Sequence, residues 1–157
     1  MRNVALKKFL KSFKYAAYGI IKAISQERNM RIHICMTVYV LTAAFITKLG
    51  VGEWLAVLLC CALVISAEAI NTAIEKMCDV LHPEKGEKIG VVKDIAAGAV
   101  LVCALFSAAV GCVVFFSRES LGNAGAFIRG HTVLTIILAS TLVPAIMFIC
   151  GRRRDDN

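Results

Sequence analysis

Four polar residues recur at helical spacing inside an apolar run: Glu68, Asn71, Glu75 and Asp79, in AEAINTAIEKMCD at 67–79. The preceding stretch, WLAVLLCCALVIS, carries no charge. Steps of three and four residues bring the four within roughly 80° of arc over about 16 Å of helix axis, as one polar stripe. A lone Glu68 would fit a structural hydrogen bond between helices; four aligned acidic or amide groups fit a pathway or a site, because carboxylates are costly in hydrocarbon. Carboxylates with an amide suit a hard cation such as Mg²⁺, which takes few protein ligands and completes its shell with water and phosphate oxygens. A carboxylate withdrawn from water also suits proton transfer near neutral pH. Two chemistries stay open: phosphoryl transfer from a metal-bound nucleotide, and coupling of protons or ions to transport.

The segment that follows, HPEKGEKIGVVKDIAAGAV, opens on a helix-stopping His82-Pro83 and turns through Glu84, Lys85 and Gly86. Lys93-Asp94 then stands where the next span begins. Lys85, Lys88 and Lys93 lie on the same side of the membrane as the stripe and could act as point charges toward phosphate. Membrane topology alone also explains all three. Neither G-x-x-x-x-G-K-[ST] nor G-x-G-x-x-G occurs, so a nucleotide site must be of another kind.

The elements that must position these residues are membrane helices. The chain has 157 residues, 59% of them hydrophobic, with a mean hydropathy of +0.74, which indicates an all-α integral membrane protein. Apolar windows at 32–49, 54–66 running into the stripe, 95–116 and 132–150 predict four spans. The net charge of +7 does not indicate nucleic acid. Eight of the eighteen Lys and Arg precede Ile32, three lie between His82 and Asp94, and Arg152, Arg153 and Arg154 close the chain. With four crossings these share one side, leaving Lys48, Arg118 and Arg129 on the other; the positive-inside bias puts both termini and the central loop in the cytoplasm. Residues 1–30 lack a secretory leader's apolar core and cleavage site, so they are expected to stay as an amphipathic surface helix. Its apolar face is Leu6, Leu10, Phe13, Ala17, Ile20 and Ile24, with Lys7, Lys8, Lys11, Lys14 and Lys22 opposite. The seven cysteines form no C-x-x-C pair and read as small hydrophobes.

The pattern E-x-x-N-T-A-x-E-x-x-x-D followed by K-D-x-x-A-G-A-V resembles the small bacterial integral-membrane lipid kinases, the prokaryotic diacylglycerol kinase and undecaprenol kinase family. The resemblance runs over 6–116, including the surface helix and the ERNMRIH turn, with Cys78 where the family usually has valine. It implies a surface helix and three membrane helices per subunit in a homotrimer, with ATP and Mg²⁺ used near the cytoplasmic face on a membrane lipid alcohol. By matching position, Glu68 would be the catalytic base and would meet the lipid together with Arg31. Glu27 and Glu75 would hold the metal, with Asn71 supporting them. Lys93 and Asp94 would engage the nucleotide beside Glu84, Lys85 and Gly86, and Lys11 and Tyr15 would close over ATP. The E-R-N-x-R-I-H turn and H-P-E loop look more like Gram-positive undecaprenol kinases, which makes undecaprenol the expected substrate and diacylglycerol the alternative.

The chain divides into the surface helix at 1–30, a three-helix core at 31–117 and an extension at 118–157. In the extension a linker, SRESLGNAGAFIRGH, leads to a fourth span that Pro144 is expected to kink. A small ion-coupled transporter using Glu68 and Glu75 is the rival of a different class; it leaves Lys93-Asp94 unexplained, and no inverted repeat of broken helices supports it. A non-catalytic membrane scaffold would need no aligned carboxylates.

Overall fold

A computed structural model describes residues 2–84 and 86–151, with side chains described from Leu6 onward. Met1, Lys85, Arg152, Arg153 and Arg154 lie outside the described residues. Seven helices follow one another: α1 (Arg2–Gln26), α2 (Arg28–Ile46), α3 (Val51–Leu81), α4 (Glu87–Phe115), α5 (Arg118–Gly130), α6 (Thr132–Ser140) and α7 (Leu142–Cys150). There is no strand among the described residues. Four helical stretches are long and apolar enough to cross a membrane: α2, α3, α4, and α6 with α7 over Thr132–Cys150. This is a multi-pass membrane architecture.

Local sequence explains each boundary. A single residue, Glu27, separates α1 from α2; its extended backbone (φ −102°, ψ 122°) turns the chain from the surface helix into the first span. After α2, Lys48 takes a left-handed conformation (φ 55°), while Lys48 N–H donates to Phe45 O and Leu49 N–H to Ala44 O. That pair of bonds satisfies carbonyls the helix end would otherwise leave free. The Gly50 N–H at the start of α3 donates to the Glu53 carboxylate at 2.9 Å. α3 stops at Leu81 because Pro83 disfavours a helical conformation at His82. With 31 residues, α3 is about 46 Å long. A hydrocarbon core is about 30 Å thick, so one end of α3 must project beyond it.

α3 packs most extensively on α4 and next on α2. The compact apolar core, Ala44, Leu49, Val57 and Val114 with Trp54 and Phe115 against it, lies at the end where α2 and α4 finish. Large apolar side chains elsewhere stay exposed, among them Phe45, Leu105, Phe106 and Val113, as expected of surfaces that meet lipid or other helices. Of the seven free cysteines, Cys78 is buried, Cys112 and Cys150 are exposed, and the rest are half-buried.

The extension departs from expectation. The linker expected at 117–131 is helix α5, and physical signals for it are present. Ser117 caps it by accepting from Ser120 N–H at 3.2 Å, Glu119 lies in the first turn and Arg129 in the last. α5 closes the end of the bundle remote from Glu68: Ser120 Oγ donates to Val114 O at 3.0 Å and Asn123 Nδ2 to Thr47 O at 2.8 Å. The fourth span breaks at Thr141. Pro144 offers no N–H to Ser140 O and crowds that carbonyl, so the interruption falls one turn before the proline itself. α6 and α7 then run back antiparallel to α2. Tyr39 Oη bonds Thr141 Oγ1 at 3.0 Å, and Arg31, eight residues before Tyr39, meets Ile149 O, eight residues after Thr141.

Candidate active site

The expected stripe forms a graded series along α3. Glu68 is 2% exposed and Asn71 4%, Glu75 is half-buried, and Asp79 is exposed. One turn before Glu68, Val64 lines an apolar cleft of about 440 Å³ between α2, α3 and α4, with His33, Met36, Cys61, Ala104 and Phe115 among its walls. The polar end of the stripe therefore faces the α3–α4 turn, and its buried end adjoins hydrocarbon-like space.

Asn71 Nδ2 donates to Glu75 Oε1 at 2.9 Å, one helical turn on. The amide is thereby oriented, and its Oδ1 stays buried with no hydrogen-bond partner. Thr72 Oγ1 is likewise buried and unpartnered. An orphaned buried acceptor costs about 1–3 kcal/mol, which a ligand in the site would recover. Asn71 ties Glu75 to the buried part of the stripe, and the bond from Lys76, the residue after Glu75, brings Glu27 to the same part of α3. Among the described residues neither ion pair involves Glu68.

Two cations that could offset this charge are engaged at its margins. Lys76 Nζ donates to Glu27 Oε1 at 3.1 Å, tying the α1–α2 corner to α3. Lys93 Nζ, on the first turns of α4, donates to Asp79 Oδ1. Lys76 and Thr72 were given no role in the sequence reading, although Thr72 stands in the N-T-A pattern and lies only about 40° from Glu68 on the helical wheel. Their roles depend on what α2 and α4 present to α3, which α3 alone cannot reveal.

The remaining expected positions are less gathered. Asp94, Glu84 and Gly86 are exposed around the α3–α4 turn. Lys11 and Tyr15 are exposed on α1, with Lys11 Nζ 5.7 Å from the Tyr15 ring centroid. Arg31 is buried, and Nε and both terminal nitrogens donate to backbone carbonyls.

A multi-pass helical membrane protein with carboxylates clustered beside a membrane-exit turn defines a class, and sequence comparison gives the family. The profile of the family described as prokaryotic diacylglycerol kinase matches residues 14–115. The chain is 34% identical over 113 residues to an undecaprenol kinase of Bacillus subtilis strain 168, covering 72% of this chain and 92% of the relative. It is 37% identical over 103 residues to a diacylglycerol kinase of Synechocystis sp. strain PCC 6803, covering 65% of this chain and 59% of that relative. No solved structure matches. The chain belongs to the prokaryotic diacylglycerol kinase family. It is an integral-membrane lipid kinase that uses ATP as phosphate donor.

Proposed function

We propose that the protein phosphorylates undecaprenol, with the γ-phosphoryl group passing directly from ATP to the lipid hydroxyl. The observation that carries the site assignment is the burial of Glu68 and Asn71 between an apolar cleft and the polar α3–α4 turn. The hydrocarbon tail of the alcohol lies along the cleft, its hydroxyl reaches Glu68, and the nucleotide approaches from the turn. The undecaprenol kinase relative, matched over 92% of its length, favours the polyprenol; the diacylglycerol kinase relative supports diacylglycerol as the second reading.

Glu68 accepts the proton of the attacking hydroxyl, since a base withdrawn from water is suited to that transfer. Glu75 and Glu27 would hold Mg²⁺, with Asn71 supporting them. The fit rests on the hard-oxygen donor set and the orphaned amide oxygen. Among the described residues no group of three or more His, Cys, Asp or Glu side chains is placed to hold a metal ion together. That suits an ion bound through one or two carboxylates and substrate phosphates. When bound, the ion supplies charge neutralisation on the phosphates. Lys93 leaves or shares Asp79 to meet a phosphate, Asp94, Glu84, Lys85 and Gly86 border the nucleotide, and Lys11 and Tyr15 of α1 cover it. No covalent intermediate is required; positioning and charge stabilisation suffice.

The core at 31–117 works as a homotrimer with the surface helix at 1–30, and the site faces the cytoplasm. The lysines of α1 and of the start of α4 share the site end, while Lys48, Arg118 and Arg129 belong to the other, in keeping with the positive-inside bias. Purified protein given labelled ATP, Mg²⁺, and undecaprenol or diacylglycerol in parallel tests the reading. Transfer mainly to undecaprenol is expected; transfer mainly to diacylglycerol would select the second reading.

A further inference from the structure

Arg31 is a buried cation whose hydrogen-bond partners are all carbonyls from the ends of two helices. Its Nη1 donates to Ile24 O at 3.4 Å and Ser25 O at 3.0 Å, in the last turn of α1. Its Nε and Nη2 donate to Ile149 O at 3.4 and 3.3 Å, in the last turn of α7. Both helices point their C-terminal, partially negative ends at the same guanidinium. The next residue inward, Met30, is 1% exposed, so the cation sits against a fully packed point of the α1–α2 corner. A planar fork with donors on two edges can serve both sets of carbonyls at once; an ammonium, being a point charge, cannot hold the same geometry.

We propose that Arg31 and the C-terminal extension form a clamp that positions the kinase site. The family profile ends at Phe115, so α7 lies outside the matched region, yet its Ile149 carbonyl accepts two of the four hydrogen bonds made by a side chain within that region. The clamp fixes the last turn of α1 on the start of α2, and between them stands Glu27 alone. Setting that corner sets where the Glu27 carboxylate points and how α1, with Lys11 and Tyr15, lies over the turn of α3 and α4. Arg31 is thus a positioning residue acting through Glu27 and α1. The Tyr39–Thr141 bond holds the other end of α7 in the register that delivers Ile149 to Arg31.

The kinetic arm of the test rests on the kinase reading above; the exchange arm does not. In the full chain and in Arg31→Lys, Arg31→Gln and Tyr39→Phe, hydrogen exchange of the α1 and α7 backbones is followed together with phosphoryl transfer, with ATP and lipid varied separately. Arg31→Lys keeps the charge and guards against a variant that fails to fold. The expected result is faster exchange in the last turns of α1 and α7 together, and a KM for ATP raised about tenfold, as for loss of a charge-assisted hydrogen bond. The KM for lipid is expected to stay within about twofold. Tyr39→Phe is expected to act in the same direction, less strongly, and less than multiplicatively when combined with Arg31→Lys. Unchanged exchange in α1 with a raised KM for lipid would overturn the clamp and put Arg31 at the lipid headgroup. If the unaltered chain transferred no phosphate, the kinase reading would fall and the exchange result alone would decide the clamp.

Discussion

Lys93 on α4 donates to Asp79 on α3 across the turn that joins the two helices, so the cation proposed for the nucleotide is paired and must share or leave that carboxylate when a phosphate arrives. The Asp79 side chain is 68% exposed and that of Lys93 34%. An ion pair so open to solvent contributes little to stability. Asp79 therefore orients more than it stabilises. Asp79→Asn is expected to change the KM for ATP by no more than about fivefold. Lys93→Met, which removes the charge itself, is expected to raise it well beyond that, and steady-state kinetics in nanodiscs separates the two.

Glu68→Gln keeps the shape of the side chain and removes its basicity. Turnover is expected to fall by about 10²- to 10⁴-fold, the usual worth of general-base catalysis. The KM for ATP is expected to stay nearly constant, because Glu68 lies at the buried, cleft-facing end of the stripe. A variant with near-normal turnover would remove Glu68 as the base.

Asn71→Ala removes the amide that donates to Glu75 and the buried oxygen beside it. Support of this kind around metal ligands typically contributes about 10- to 100-fold in affinity or activity. The Mg²⁺ concentration for half-maximal activity is expected to rise by at least about tenfold, and saturating Mg²⁺ is expected to restore part of the rate. Equal Mg²⁺ dependence in variant and unaltered protein would detach Asn71 from the metal site.

Ser117→Ala removes the cap of α5 and is expected to destabilise the fold by about 1 kcal/mol. Thermal unfolding in detergent measures it. Since α5 closes the end of the bundle away from Glu68, the KM values for ATP and lipid are expected to hold at temperatures where the variant stays folded.

The spans and the stripe were legible because hydropathy and helical periodicity are local properties. His82-Pro83 and Pro144 also punctuated the helices, although Pro144 breaks the helix at Thr141, a turn earlier, where its missing N–H is felt. Helix α5 was obscured by Gly122 and Gly125, each costing about 1 kcal/mol relative to Ala in a helix interior. Its Ser117 cap and its bonds to Thr47 and Val114 oppose that cost. Pairings between helices were not legible: Lys76 with Glu27 and Arg31 with Ile149 are separated by 49 and 118 residues, and neither separation carries a periodic signal. Asp79, the least explained of the four stripe residues in sequence, acquires its partner only when α4 folds back beside α3.

The antiparallel seating of α6 and α7 has a geometric consequence for assembly. α2 already meets α3 on one flank, and the returning span occupies another. Copies of this chain that associate must do so through surfaces the extension leaves open, chiefly the apolar flanks of α3 and α4. The added span thus covers part of the subunit's perimeter along α2 and leaves that part closed to any neighbouring copy.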